Sequence, residues 1–188
     1  MLNLISHIKK QVLLDEADMQ ILSSKLKLLT VNKKEYLLQE GGVCKANYFV
    51  EKGCLRMFFI NDKGIELITQ FAIENWWLSD YMSFGMQSAS NFYIQAVETS
   101  EIIAINSTLQ EELLGELPQL ERYFRLNMQR TLGAAQQRVK FFHDFSKEES
   151  YRHFVSLFPK FVQRIPQYML ASYLGLTPEY LSELRKKG

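Results

Sequence analysis

The stretch "IPQYMLASYLGLTPEYLSELRKKG", residues 165–188, decides the fold of the C-terminal part of the chain. Two short segments with apolar residues at helical spacing meet at Gly175, which can adopt the left-handed conformation that ends a helix. Thr177 is placed to cap a second helix, and Pro178 suits its first position. Leu170 and Leu181 belong to the inward faces of the two helices. The stretch therefore predicts a helix-turn-helix, with a first helix over residues 167–174.

The second of these helices has the size that fits the major groove of DNA, and its polar residues predict how it would bind there. A carboxylate can accept a hydrogen bond from cytosine N4, and other polar side chains can reach base edges. The residues predicted to read bases are Glu179, Ser182 and Glu183. Those predicted to contact phosphates are Gln167, Tyr168, Thr177, Arg185, Lys186 and Lys187. The alternative is a helical hairpin without such a role.

The net charge of +1 hides an asymmetry between the two parts of the chain. Residues 117–188 hold 12 Lys and Arg against 6 Asp and Glu, whereas residues 1–116 hold 10 against 15. A basic C-terminal third beside an acidic remainder indicates a polyanionic partner at that end. A solvated helix surface is the plainer interpretation of the same charges.

Residues 30–105 follow a period of two that is typical of β-strands. The segments "YFVEKGCLRMFFI", "IELITQFAI" and "FYIQAVETSEIIAI" are rich in β-branched and aromatic residues. Tight turns separate them, and the turn at residues 61–64 ends in Gly64, which is free to take positive φ. This pattern predicts an antiparallel sandwich or barrel. Residues 3–29 read instead as helical, with Asp15 as the cap of a second short helix.

A long helix is predicted to begin at Pro118. An apolar seam recurs along it at spacings of three and four, and a helix of about 25 residues is about 37 Å long, more than one β-domain of this size can cover. Part of the seam needs a partner, and the simplest partner is a second copy across a two-fold axis. An ordinary core helix is the alternative. The seam residues are Leu120, Phe124, Met128, Thr131, Ala135, Val139 and Phe142.

Ser146 and Glu149 form a capping-box pattern that predicts a further helix after the long one. Leu157, Phe158 and Phe161 are expected to lead this helix back to a core. The "VQRI" stretch of residues 162–165 could form a short strand that ends before Pro166.

Several classes of protein are disfavoured by the sequence. No apolar run approaches the ~18 residues that a membrane span needs. Cys44 and Cys54 make no disulfide framework and are too few for an iron–sulfur cluster, so a reduced cytoplasm is expected. Catalytic constellations, phosphate loops and metal clusters at recognisable spacings are missing, which indicates a protein that is not an enzyme and that holds no cofactor or metal.

The chain as a whole resembles the Crp/Fnr (cyclic-AMP receptor / fumarate–nitrate regulator) family of bacterial transcription factors. The resemblance rests on "YFVEKGCLRMFF" with the turn glycine Gly53, on "WWLSDYMSF" followed by "FYIQAVETSEIIAI", and on the helix-turn-helix stretch. The last two look like the subgroup common in Bacteroidetes. The resemblance implies promoter binding as a homodimer, with contact to RNA polymerase.

The fold class that the resemblance implies is α+β. An antiparallel β-roll similar to a cyclic-nucleotide-binding domain, a double-stranded β-helix, is expected over residues 1–116. A dimerisation helix is expected over residues 117–144, and a winged-helix-like helix-turn-helix domain over residues 145–188.

The chain departs from the family where its cyclic-AMP-binding members hold the nucleotide. Their Gly-Glu pair reads Ser79-Asp80 here, and their Arg-Ser/Thr-Ala motif reads about Ser90-Asn91-Phe92. A buried phosphate needs a guanidinium and N–H donors, and Asp80 would repel it. Cyclic AMP is therefore not expected to bind. The degenerate effector pocket is predicted to comprise Trp77, Ser79, Asp80, Tyr81, Ser90 and Asn91.

The recognition helix departs from the family as well. Pro178 and Glu183 stand where the cyclic-AMP-binding members carry the arginines that read guanine, so a different operator is expected. The function predicted from the sequence is a homodimeric, DNA-binding transcriptional regulator with a possible small-molecule effector. The alternative is a ligand-sensing module whose partner is a protein and not DNA.

Overall fold

A computed structural model describes residues 2–186, and the predicted phosphate contact Lys187 lies outside this range. The chain is α+β, as predicted, with a β-roll between N-terminal helices and a run of C-terminal helices. The strands are β1 (Leu28–Val31), β2 (Tyr36–Leu38), β3 (Ala46–Lys52), β4 (Leu55–Ile60), β5 (Glu66–Ala72), β6 (Trp77–Leu78), β7 (Tyr93–Ala96) and β8 (Ser100–Asn106). The helices are α1 (Asn3–Lys9), α2 (Glu16–Lys25), α3 (Tyr81–Met86), α4 (Ser107–Glu116), α5 (Gln119–Asp144), α6 (Lys147–Leu157), α7 (Pro159–Arg164), α8 (Gln167–Leu174) and α9 (Pro178–Lys186).

The β-roll consists of two four-stranded antiparallel sheets. One sheet has the order β1-β8-β3-β6 and the other the order β2-β7-β4-β5. Strands β4 and β5 form the predicted hairpin, whose turn holds Gly64 at a φ of 73°. The period-two pattern thus predicted the strands because each one places alternate residues inside the roll.

The two faces of β3 illustrate how the roll is packed. Ala46, Tyr48 and Val50 belong to the apolar cluster inside the roll. Phe49 lies on the opposite face, in a cluster where α1, α2, α4 and the start of α5 cover the outside of the sheet. Asp15 and Asp18 form a reciprocal capping box at the start of α2, one of the helices that cover this face of the sheet.

The C-terminal helices do not have a core of their own. Phe161, Met169 and Leu181 lie in one apolar cluster with Phe58 and Phe71 of the roll. Ser172 on α8 ties this cluster to β5: its hydroxyl donates to the Glu66 carbonyl (2.8 Å) and accepts from the Ile68 N–H (3.0 Å). The helix-turn-helix region is therefore docked directly on the sheet.

Two expectations for the region after α5 are wrong in detail. Residues 162–165, expected as a possible strand, lie in and directly after α7, because Pro159 at its first turn favours a helix start. Leu157 is 56% exposed and does not reach the core, although Phe161 does. The part of the chain described after β8 contains only helices.

Candidate DNA-binding and effector sites

The helix-turn-helix has the local geometry that the sequence predicted. Gly175 ends α8 at a φ of 67°, and its N–H bonds to carbonyls of the last turn of that helix. The Thr177 hydroxyl accepts a hydrogen bond from the Tyr180 N–H at 3.2 Å and so caps α9. Leu176, Leu181 and Leu184 are buried and hold the two helices together. The turn is thus defined by its own residues.

The polar residues of α9 share one face. Glu179, Ser182, Glu183 and Lys186 are spaced at i, i+3, i+4 and i+7, and all of them are exposed on the side away from Leu181. Arg185 is exposed as well. The other predicted phosphate contacts, Gln167 and Tyr168 at the start of α8 and Thr177 at the start of α9, are also exposed. The structure brings all of these residues to the surface of the two helices.

An ion-pair cluster that was not predicted from the sequence joins α7 to the roll. The Arg164 guanidinium donates to Glu74 at 2.7 Å and to Glu98 at 2.5 Å. Partial burial alone would raise the pKa of Glu74, but the Arg164 guanidinium and the Gly53 N–H lower it to about 2. The pair therefore stays charged at neutral pH.

Long helix α5 also contributes to this docking. The Arg138 guanidinium donates to the carbonyls of Thr69 and Tyr173 and lies 4.1 Å from the centre of the Tyr173 ring. One arginine thus joins α5, β5 and α8.

The apolar seam of α5 becomes progressively more exposed along the helix. Leu120 is buried on the roll and Phe124 is half-buried, whereas Met128 is 44%, Val139 61% and Phe142 78% exposed. Ala135 is exposed and Thr131 is half-buried. The C-terminal part of the seam has no cover within the described chain.

The sequence interpretation missed one member of this seam. Leu132 is 61% exposed. Once it is included, the exposed seam residues follow one another at intervals of four, three, four and three positions: Met128, Leu132, Ala135, Val139 and Phe142. That is the heptad pattern of a two-helix contact. The spacing is visible in the sequence, but the prediction placed Thr131 in the seam instead of Leu132.

The predicted effector-pocket residues divide into three groups. Ser79, Asp80 and Ser90 are buried, and the Ser79 hydroxyl donates to the Ala46 carbonyl at 3.2 Å. The Asp80 carboxylate accepts from the Met82 and Ser83 N–H groups and from the Ser90 hydroxyl at 2.6 Å, which caps α3. Asn91 is exposed and lies outside this network. Trp77 and Tyr81 line a separate cleft.

This cleft of about 260 Å³ lies between α3, α4, α5 and the outer face of the sheet. Burial raises the pKa of Tyr81 to about 12, so its phenol is neutral at physiological pH. The sequence interpretation did not include Asn47, Gln110 and Asn127, although an Asn between the apolar residues of β3 was a visible signal. The lining residues are Asn47, Trp77, Tyr81, Phe84, Gly85, Gln110, Phe124, Asn127 and Met128.

The two cysteines are free thiols. Cys44 and Cys54 are both buried, and burial raises the pKa of Cys54 to about 12. Within residues 2–186, His, Cys, Asp and Glu side chains form no group of three or more that could hold a metal ion. Over the same residues, no helix is long and apolar enough to cross a membrane.

The described chain consists of a β-roll, a long and partly uncovered helix, and a helix-turn-helix. Solved structures share this fold: the c-di-GMP-responsive global regulator CLP of Xanthomonas campestris superposes with a TM-score of 0.73 at 12% identity, covering 92% of this chain and 91% of that one. No family model matches the chain.

Sequence similarity to curated proteins is low but extends over most of the chain. Electron transport regulator A of Shewanella oneidensis is 26% identical over 167 residues, 82% of this chain and 65% of that protein. The fumarate and nitrate reduction regulatory protein of Vibrio cholerae is 26% identical over 169 residues, which are 82% of this chain and 65% of that protein. The chain thus spans just under two thirds of their length. In sequence and in fold the chain is thus similar to these regulators.

Proposed function

We propose that the protein binds a specific DNA site as a homodimer and regulates transcription from it. The observation that carries the proposal is the outward face of α9, where Glu179, Ser182, Glu183 and Lys186 stand clear of the core. An exposed helix of this kind, capped and held from behind by a second helix, fits the major groove. The basic balance of residues 117–188 supports a polyanionic partner.

The uncovered seam of α5 supports the dimer. Four large apolar side chains, Met128, Leu132, Val139 and Phe142, are between 44% and 78% exposed along one face. Exposed apolar rows of this length are unusual on a monomer and pack readily against a copy of themselves across a two-fold axis. Two copies would present two α9 helices to two half-sites of a symmetric operator.

The finer attributes of the proposal follow from the resemblance. The motifs at residues 76–84 and 165–187 favour the subgroup common in Bacteroidetes. Contact with RNA polymerase and a cytoplasmic location follow from the same likeness, and the names of the two curated relatives describe regulators.

Substitutions on α9 should distinguish residues that contact DNA phosphates from residues that read bases. Arg185→Ala or Lys186→Ala should weaken binding to every duplex and lower the slope of log K against log salt by about one unit each, because one phosphate contact is lost. Glu179→Ala should instead relax the preference at one base pair by about 1–3 kcal/mol. The measurement is selection of bound duplexes from a random pool, followed by salt titrations on the selected site.

Lys160→Ala is the matched control, since Lys160 is an exposed lysine on α7 and outside the helix-turn-helix. We expect it to leave both the salt slope and the selected motif unchanged. An unchanged motif with Glu179→Ala would contradict the placement of the readout face. Failure of the wild-type protein to select any duplex would favour the alternative, a module that contacts only proteins.

We further propose that cyclic AMP is not the effector. The only arginine before Arg122 in the sequence is Arg56, and its guanidinium is committed to Glu66 at 2.6 Å and to Gln95. Ser90 stands in the motif that holds the phosphate in cyclic-AMP-binding members, and its hydroxyl donates instead to the Asp80 carboxylate at 2.6 Å. Burying a phosphate beside that carboxylate would cost several kcal/mol without a compensating contact.

Cyclic AMP should therefore leave the melting temperature of the protein unchanged. A ligand that binds only the folded state at a hundred times its Kd adds about 2.7 kcal/mol of stability, which a melting curve detects. The measurement is a calorimetric scan with and without millimolar cyclic AMP or cyclic GMP. An upward shift that Ser90→Ala removes would contradict this proposal.

A further inference from the structure

The cleft outside the roll contains a buried hydrogen-bond acceptor without a partner. Asn47 is 5% exposed, and its side-chain Oδ1 atom has no hydrogen-bond partner in the structure. A buried polar atom left unpaired costs about 1–3 kcal/mol, so native proteins rarely keep one without a reason. Asn47 lines the cleft, and the missing donor can therefore come from a molecule that enters it.

Two other polar side chains of the cleft, Trp77 and Asn127, are engaged with the chain. The Trp77 Nε1–H donates to the Tyr123 hydroxyl at 2.9 Å, and the Asn127 amide donates to the Tyr123 carbonyl at 2.8 Å. These bonds fix the wall of the cleft and leave the Asn47 oxygen as the buried acceptor that lacks a donor. The geometry of the site is thus set before any ligand binds.

The remaining lining determines the class of ligand. Trp77, Tyr81, Phe84 and Phe124 supply aromatic surface. No Lys, Arg, His, Asp or Glu lines the cleft, and the Tyr81 phenol is neutral. An ion would lose its hydration there without a counter-charge. A flat, uncharged molecule would retain contact with the rings and could satisfy Asn47.

We propose that this cleft binds an uncharged aromatic molecule that donates an N–H or O–H hydrogen bond to Asn47 Oδ1. The site differs from the interior of the roll, because Asn47 lies on the face of β3 opposite to Ala46 and Tyr48, which belong to the interior cluster. The ligand would lie against Phe124 and Met128 of α5.

Contact with α5 connects the cleft to the proposed function. Met128 belongs to both the cleft and the exposed seam, so a bound molecule would stabilise the segment of α5 that begins the dimer contact. Occupancy should then raise operator affinity. This regulatory step rests on the proposed function, whereas ligand binding itself does not.

The binding test uses the full-length protein without DNA and two probes of the same shape. Indole carries an N–H donor, and benzofuran has a ring oxygen in its place. For a ligand of nine heavy atoms we expect a Kd of about 1 mM for indole. Benzofuran should bind at least about fivefold more weakly, and indole-3-carboxylate more weakly still. The readout is the chemical shift of the Trp77 Nε1–H resonance, with Trp76, which does not line the cleft, as an internal reference.

Substitution of Asn47 tests the hydrogen bond directly. In Asn47→Leu, indole should bind no better than benzofuran, while the melting temperature of the free protein should stay the same or rise because the unpaired oxygen is gone. The control Asn91→Leu changes an exposed Asn outside the cleft and should keep the wild-type preference for indole. This control separates the role of Asn47 from a general effect of losing an amide.

Three results would overturn the proposal. These are equal affinities of the wild-type protein for indole and benzofuran, a preference for indole that survives Asn47→Leu, and no shift at Trp77 up to about 10 mM indole. Operator affinity with and without indole is then measured separately. A protein that prefers indole through Asn47 but binds no duplex would contradict the proposed function alone.

Discussion

Replacing Leu132 and Val139 together by Asp is expected to convert the dimer into a monomer and to abolish high-affinity operator binding. Both side chains are 61% exposed on the seam of α5 and would be buried in a two-fold contact. A carboxylate buried in an apolar contact without a partner costs several kcal/mol, and symmetry would introduce four of them. Because a dimer holds two linked half-sites, its loss should reduce operator affinity by a factor of about 10²–10⁴.

The matched control is Gln129→Asp with Gln137→Asp, which adds the same charge to the same helix. Both glutamines are exposed and neither is a seam residue; at 100° per residue Gln137 lies on the opposite face and Gln129 beside the seam. Sedimentation should give twice 22.0 kDa for the wild type and this control and 22.0 kDa for the seam variant. A wild-type monomer, or a seam variant that remains dimeric, would refute the seam as the dimer contact.

The elements that could be predicted from the sequence are those specified by neighbouring residues. Gly175, Thr177 and Pro178 define the turn of the helix-turn-helix within four residues, and the structure has the same cap and the same left-handed glycine. The capping box of Ser146 with Glu149 was confirmed for the same reason. Local chemistry determines these features, so no knowledge of the fold was needed.

Features that depend on distant residues were missed. Arg164 pairs with Glu74 and Glu98, which lie 90 and 66 positions away in the sequence, and no local sequence pattern predicts such pairs. Residues 162–165 carry two β-branched residues that favour a strand, yet Val162 and Ile165 pack from a helical segment onto the roll. Packing onto the roll thus adds to the helix start at Pro159 in deciding this segment against its β propensity.

The candidate effector site contains some residues that could be predicted from the sequence and some features that only the structure shows. Trp77 and Tyr81 were predicted from their aromatic character and do line a cleft. Ser79, Asp80 and Ser90 were grouped with them by their place in the family motif, but the Ser90 hydroxyl donates to Asp80, which also caps α3. Only the packing of α5 against the sheet shows that Asn47 is left without a donor.

Gly53→Ala is expected to destabilise the protein strongly, although it adds only one methyl group. Gly53 has a φ of 108°, and an added Cβ would lie 2.6 Å from the Cβ and 2.7 Å from the Cα of Ser100. Ser100 cannot move aside easily, because it is buried and its hydroxyl bonds to the Cys54 N–H and the Glu98 carbonyl. Strain in φ costs about 1–2 kcal/mol and overpacking about 1–3 kcal/mol, so we expect a loss of about 3 kcal/mol.

Gly64→Ala separates the backbone strain of a positive φ from the steric contact with Ser100. Gly64 also has positive φ, at 73°, but an added Cβ there meets nothing within 4 Å. We expect it to lower the melting temperature by about 2–4 °C, and Gly53→Ala by about 6–12 °C, as measured by calorimetry. Because the Gly53 N–H also donates to Glu74, which holds Arg164, the Gly53 variant should loosen the docked C-terminal helices and make them more sensitive to protease. Equal effects of the two variants would show that the contact with Ser100 does not restrict this turn.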